Sequence, residues 1–416
     1  MTSIFQDRRF IKILTANVFS SIGSGITMFA IPWVFVSKEG GANAFGYVTL
    51  ITTIALFLAA PLIGNLIDYH SRKKLLLWGQ LIGFTMVGFF ASIGFLGMEY
   101  QTWHLVLLFL TGSFYFSLFY PTMFAMNQEI FDRSLYKSLN GMMEIQGQLS
   151  TFIVAGGIAS ILLETVDLHW ILLIDAVTYT IAFLILSTIP YIHSKQTSSK
   201  RKSFWGKMHE GYVYLKDQPL LFFFLLSAFI PFITVMVTNY VFPIYIEATL
   251  QASGSIYGLQ GMLFGFGSLL AGIFIPVFIK KFGNVQIILI GILTFTISMI
   301  FISIFPFTLL FLILSILRGF GNASTRVARN TLMMETIPNE KMGRVNSLFE
   351  TIGLMLRITL IGSFTVVIPT VGTILPVSIL SLILVMAVIV AWVSRRYFSN
   401  ASKAKVKANI SDISLQ

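Results

Sequence analysis

The chain has 416 residues, 56% of them hydrophobic and 11% charged, with a mean hydropathy of +0.84. That balance excludes a water-soluble domain of this size, which needs far more polar surface, and fits a chain whose outward side chains are solvated by lipid. The absence of Cys excludes disulfides, thiolate metal sites and cysteine nucleophiles, and the formal charge of +11 reads as basic connections between membrane spans rather than as a nucleic-acid surface.

Residues 1–9 are short and polar, and the first apolar run is too long for a signal-peptide core, so no cleavage is expected. A spanning helix needs about 20 apolar residues. Runs of that kind lie near 10–37, 43–67, 75–97, 103–130, 138–163 and 169–190, which predicts an N-terminal six-helix bundle over 1–190. Residues 191–219 are expected to be a cytoplasmic linker, with a Ser/Lys cluster from Ser194 to Ser203 and a short surface helix at Trp205–Lys216. Spans near 220–248, 255–279, 285–305, 307–335, 345–370 and 373–394 predict a second six-helix bundle over 220–398, followed by a cytoplasmic tail at 399–416. The fold class expected is an all-α membrane protein of twelve transmembrane helices in two bundles.

The basic residues test this map. Of 28 Lys and Arg, 23 fall at the N-terminus, in the even-numbered connections or in the tail, whereas the opposite connections hold only Lys38 beside Glu39, Glu99, Glu164, Asp167 and Glu247. The bias of Lys and Arg toward the cytoplasm therefore predicts a multi-pass cell-membrane protein with both termini inside. A repeat supports two related halves: at an offset of 206, Glu129, Asn140 and Glu144 match Glu335, Asn346 and Glu350. Halves that both start on the same side are parallel repeats about an axis along the membrane normal.

The connection after the second span runs from Gly64 through Asn65, Leu66, Ile67, Asp68, Tyr69, His70 and Ser71 to Arg72, Lys73 and Lys74. It resembles the signature of the major facilitator superfamily, with Tyr69 and Ser71 in place of the usual Arg and Gly. The resemblance implies a gating role for Gly64, Asp68, Arg72 and Lys73: a Gly for close helix packing, and an Asp opposite basic residues to latch the cytoplasmic ends of the halves. Ile174–Asp175–Ala176–Val177, and Gly343–Arg344–Val345 with Ser347 and Leu348, resemble the macrolide-efflux branch of that superfamily. Gly112 stands where drug antiporters of the family carry a membrane-embedded Arg, and Gly156 and Gly157 lack the usual Pro. At the repeat offset Gly112 corresponds to Arg318.

An ionisable side chain at mid-membrane costs at least about 2.5 kcal/mol and marks a candidate site. Arg318, Asn322, Arg326 and Arg329 share one face of the tenth span, and Asn346, Glu350, Gly353 and Arg357 one face of the eleventh. Both rows are expected to face a central cavity. Arg326 and Arg329 have a structural reading, as partners of Glu350 and Glu335. Arg318 and Arg357 have no carboxylate at matching depth, so a solute carboxylate is the expected partner. Asn239 and Tyr240 offer neutral hydrogen bonds on the seventh span, and Tyr120 a ring to stack against. Glu144 and Glu350 are the candidate coupling carboxylates, able to hold a proton or meet an ammonium. Asp175 is expected to serve helix packing.

The reading is a secondary active exporter of a small carboxylate-bearing zwitterion, working by alternating access with proton antiport. Among branches of the superfamily, the chain most resembles exporters of opine-type metallophores. The alternative is a broad macrolide or lipophilic drug pump, in which the arginines are structural and aromatic rings bind. The expected partners are a small solute, protons and lipid, with the protein a monomer. No phosphate-binding Gly-rich loop points to ATP, and no cofactor, resident metal or catalytic dyad is expected, so the chain does not read as an enzyme.

Overall fold

The computed structural model describes residues 6–132, 135–191 and 204–398. Arg133, the cluster at 194–203 and the tail at 399–416 lie outside the described residues, as does the side chain of Asn140. The first half holds α1 (Arg8–Val36), α2 (Gly41–Tyr69), α3 (Arg72–Phe95), α4 (Thr102–Ile130), α5 (Tyr136–Gly147), α6 (Ala155–Thr165) and α7 (Leu168–Ser187). After α8 (Phe204–Lys216) come α9 (Pro219–Ile244), α10 (Gly254–Phe282), α11 (Asn284–Ile304), α12 (Thr308–Thr336), α13 (Asn339–Val371) and α14 (Ile374–Ser394).

Among the described residues, twelve helices are long and apolar enough to cross a membrane, with α5 and α6 joined into one span. An even number of crossings puts the first and last described residues on one face, called here the terminal face; the other is the far face. Helix ends follow local chemistry. The Asp7 carboxylate accepts from the Arg9 backbone N–H at 2.7 Å and starts α1. Pro219 opens α9, where its missing N–H costs nothing. Gly283, at φ +80°, makes the one-residue turn between α10 and α11, a conformation that a side chain would strain.

The fifth span departs from the continuous helix expected over 138–163. Between α5 and α6, residues 148–154 form a π-helical segment, and a second one at 245–249 ends the seventh span after Pro231 and Pro243. A widened turn of this kind rotates the faces on either side of it, so Glu144 and Gly156 need not share a face that simple helical counting would give them. The linker differs as well. Gly211 of α8 lies against the Arg344 carbonyl of α13, and Arg344 pairs with Glu210 at 2.7 Å, so the short helix is docked on the second half.

The two halves meet closely toward the far face. A methyl group at Gly258 would come 2.3 Å from the Ser160 backbone nitrogen, and one at Gly156 would come 2.8 Å from the Met262 nitrogen. Phe29 fills the space beside Gly261, Trp33 that beside Gly254, and the Tyr240 hydroxyl and Thr365 that beside Gly46. Glycine lets the backbones of α6 and α10 approach at the first two positions, and at the other three it admits a side chain of the opposite half.

Candidate functional site

Toward the terminal face the halves are bridged by an ion pair between Arg326 of α12 and Glu144 of α5. Glu144 is 52% exposed and Arg326 26%, although the two belong to opposite halves. A pair that spans two bundles and is still wetted borders the space between them. The halves are thus packed together at the far end by the glycine contacts, and the space between them, the cleft, is wetted toward the terminal face. Gln148, one turn on, donates to Glu144 at 3.3 Å. Tyr120 of α4 lies on the same side of the first half: it is 40% exposed, its ring stacks on Phe116 and its hydroxyl lies 3.5 Å from that of Thr151.

This pairing corrects two expectations. Arg326 takes Glu144 rather than Glu350, which is exposed and forms no ion pair among the described residues. Arg329 does not pair with Glu335. Its guanidinium sits 3.6 Å from the centre of the Phe229 ring and donates to the Ala228 carbonyl at 3.4 Å and the Asn330 side-chain oxygen at 3.2 Å. Glu335 instead accepts from the Asn284 amide at 2.8 Å, while its repeat partner Glu129 pairs with Arg72 at 2.7 Å. Asn284 and Arg72 are the first residues of α11 and α3, so the two glutamates perform the same helix-tying task in each half.

The row on α12 does not all reach the cleft. Arg318 is 2% exposed, enclosed by Phe242, Phe264 and Phe295 with its guanidinium carbon 4.2, 5.6 and 5.8 Å from the three ring centres. One donor reaches Thr238 Oγ1 at 3.3 Å, and Nε and Nη1 are buried without a hydrogen-bond partner among the described residues. Cation–π attraction is strongest where water is excluded, which is the compensation this cage supplies. The expectation that Arg318 lines an open cavity is therefore corrected: in this conformation the second half encloses it. Asn322, one turn away, is buried with its side-chain oxygen unpartnered. Arg357 of α13 is half-buried, and its buried Nε also lacks a partner among the described residues. On α9, Asn239 is exposed whereas Tyr240 is 1% exposed and belongs to the far-face seal, so the adjacent pair divides between surface and seam.

In the first half the polar residues of α1 enter a connected core. Asn17 donates to Gln146, Ser20 bonds Tyr115, which also accepts from Gln80 at 3.0 Å, and Ser24 donates to Tyr179 at 3.0 Å. The ladder ends at Asp175, 1% exposed, whose carboxylate accepts from Thr27 at 2.7 Å, Thr178 at 3.4 Å and Ser24 at 3.5 Å. The row Asn17, Ser20, Ser24, Thr27 is legible as one helix face in the sequence. Its partners on α3, α4, α5 and α7 are not, because they lie 60 to 155 residues along the chain from the α1 residues they bond.

The gating cluster is held inside its own half. Arg72 is buried against Glu129, and Lys73 donates to the Ser187 and Ile189 carbonyls, each at 2.7 Å. Tyr191 donates to Glu129 as well; burial first, then the neighbouring carboxylate, push its phenol up to about 12, so it remains a donor. Asp68 is half-buried at the end of α2. Gly64 is exposed, with no described atom within 4 Å of where its Cβ would sit, so it makes no close helix contact in this conformation.

Twelve spanning helices among the described residues, whose first six meet the last six closely at one face and stay wetted toward the other, are the arrangement of a membrane carrier of small solutes. The model of the Major Facilitator Superfamily matches residues 13–358 and again 224–414, and the chain belongs to that family, one of transporters rather than enzymes. It is 24% identical to Macrolide efflux protein A of Streptococcus pyogenes over 82% of this chain and 84% of that protein. A multi-drug resistance efflux pump, the PmrA homolog of Lactococcus lactis subsp. lactis, is also 24% identical over 71% of each chain. Among solved structures, a bacterial homologue of the iron transporter ferroportin in its inward-facing state matches with a TM-score of 0.71 at 15% identity, covering 94% of this chain and 99% of that one. At that identity the likeness concerns the fold.

Proposed function

We propose that this protein is an efflux carrier for bulky amphipathic solutes, loading them from the cytoplasm through the cleft and releasing them at the far face. The observation that carries the reading is the wetted cleft between the halves, where the Tyr120 ring and the Arg326–Glu144 pair lie together. The relatives named for macrolide and multidrug efflux support this class of cargo. The bias of 23 of 28 basic residues supports a cytoplasmic terminal face, which makes the present conformation the loading one. As the halves rock, the cleft closes around the Arg326–Glu144 pair, and protonation of Glu144 weakens the bridge; this is the proposed point of proton exchange.

A second reading has its own support. Arg318 and Arg357 keep buried guanidinium nitrogens for which no described residue supplies a carboxylate, and a planar donor fork suits a carboxylate-bearing zwitterion, an opine-type metallophore being one such cargo. The experiment that separates the two measures retention of a labelled macrolide and of carboxylate-bearing metabolites in energised cells with and without the protein. Lower macrolide retention, unchanged by Arg357→Gln, is the outcome expected for the first reading. Macrolide retention that ignores the protein, together with carboxylate export that Arg357→Gln abolishes, would replace it with the second. Export in vesicles that persists unchanged after the pH gradient is collapsed would remove the proton step from either.

A further inference from the structure

The junctions at which the last helix of each half returns to its third helix differ. In the first half, α3 begins beside the end of α7, and Lys73 closes the corner by donating to the Ser187 and Ile189 carbonyls. The corresponding corner of the second half, between the start of α11 and the end of α14, holds a cavity of about 540 Å³ lined by Val285, Gln286, Trp392, Arg395, Arg396 and Phe398. Its lining carries two guanidiniums and no carboxylate.

Several features hold that corner in shape. The Tyr397 hydroxyl donates to Gln218 at 2.8 Å and the Phe398 ring packs edge-on against Phe224 at 5.0 Å, which ties the residues after α14 to the start of α9. The Arg395 guanidinium lies 4.7 Å from the Trp392 ring centre. From the other wall comes the first turn of α11, where Gly283 is the cap residue and no side chain caps the free N–H groups. Partial positive charge from the helix start and full charge from two arginines therefore converge on one concave corner. The nearest carboxylate on α12, Glu335, is already engaged by the Asn284 amide.

The surroundings indicate where the anion comes from. Ile290 and Leu293 on α11, and Ile389, Trp392 and Val393 on α14, are exposed large apolar side chains on membrane-spanning helices. The charged corner thus sits at the terminal end of an apolar surface of the kind that lipid covers. A tryptophan and arginines at the end of a spanning helix occupy the headgroup level.

We propose that this corner binds the phosphate-bearing headgroup of an anionic phospholipid, with the acyl chains lying along the exposed faces of α11 and α14. The shared chemistry is a phosphate anion; the site takes it from lipid rather than from solution. Basic pockets between spanning helices on such a face suit this ligand. The site is separate from the cleft and does not depend on the identity of the transported solute.

The test uses the full chain, purified in detergent and freed of bound lipid. Native mass spectrometry would compare phosphatidylglycerol with phosphatidylcholine of the same acyl chains. Wild type is expected to retain one phosphatidylglycerol in preference, and Arg395→Gln with Arg396→Gln to lower that preference roughly thirtyfold, about fivefold for each charge at the membrane surface. An unchanged preference in the double variant overturns the proposal. Equal loss on Lys280→Gln with Lys281→Gln also overturns it, since diffuse surface charge would then suffice. Displacement of the lipid by millimolar inorganic phosphate alone would assign the corner to a soluble anion instead. To avoid reliance on a variant that fails to fold, phosphatidylglycerol with brominated acyl chains should quench the wild-type tryptophan emission in a component that Trp392→Phe removes; no such component means no lipid at this site.

Discussion

The two halves bury charge in opposite ways. The first encloses a carboxylate, Asp175, and satisfies it with hydroxyl donors from Thr27, Ser24 and Thr178. The second encloses guanidiniums, Arg318 and Arg329, and surrounds them with phenylalanine rings and neutral oxygen acceptors. Among the described residues neither arrangement closes an ion pair on the buried charge, although the Glu350 carboxylate acts on Arg329 from beyond contact distance. Hydroxyl donors are short and directional, so Asp175 fixes the spacing of α1 and α7, whereas ring faces tolerate displacement of a cation. The first half is therefore expected to be the more rigid body, and the second the one in which buried charge can be re-aimed when helices shift. Opposite charges do meet between the halves, at Arg326 and Glu144.

This contrast can be broken at its rigid end first. Asp175→Leu strands the Thr27 hydroxyl and removes the longer bonds from Ser24 and Thr178, which keep Tyr179 and the residue-175 carbonyl as acceptors; at roughly 0.6 kcal/mol for each of the three hydrogen bonds, the loss is at most about 2 kcal/mol, read as a lower midpoint of thermal unfolding in detergent. An unchanged midpoint would mean that the ladder on α1 does not hold the first half together.

The second half should respond less. Arg329→Met removes the cation from Phe229 but also ends the burial of a charge that closes no ion pair among the described residues and feels only the longer-range field of Glu350, and these effects oppose each other. A change within about 1 kcal/mol is expected by the same thermal assay. A loss as large as that of Asp175→Leu would show that both halves are equally rigid.

The smallest effect on stability is expected between the halves. Glu144→Gln breaks a wetted pair worth roughly 0.5 kcal/mol, so the midpoint should hardly move. The balance of conformations should move about twofold toward the state closed at the terminal face. The chain has no native Cys, so spin labels at Tyr69→Cys and Phe282→Cys can report that balance by distance. An identical distance distribution with and without Glu144 would remove the pair from the conformational equilibrium.

Much of this architecture is legible without coordinates, for identifiable reasons. Lipid imposes length and apolarity on every span, so the twelve crossings stand out, and α8 at Phe204–Lys216 agrees closely with the helix expected at Trp205–Lys216. The Glu129 and Glu335 repeat marks positions with the same helix-tying task. The side-chain partners are harder to read. Helical spacing correctly places Arg318, Asn322, Arg326 and Arg329 on one stripe, but a stripe wide enough to meet two neighbours does not say which residue meets the cleft and which the rings of α9, α10 and α11. Arg326 and Glu144 are 182 residues apart, beyond any rule for neighbours on one helix, and the π-helical turn at 148–154 changes the face on which span five presents its residues. Tyr240 is drawn into the far-face seal by Gly46 of the other half, a contact that no pattern on its own helix carries.

Arg318, buried with two donor nitrogens unpartnered among the described residues, is proposed to serve the transport cycle rather than the fold. Arg318→Met tests this directly, because methionine fills much of the same space without charge. A thermal midpoint no lower than that of wild type is expected, together with efflux per folded molecule reduced about tenfold or more, a change of about 1.4 kcal/mol. A midpoint lowered by several degrees with efflux intact would contradict it, and would make Arg318 an anchor among its three phenylalanines.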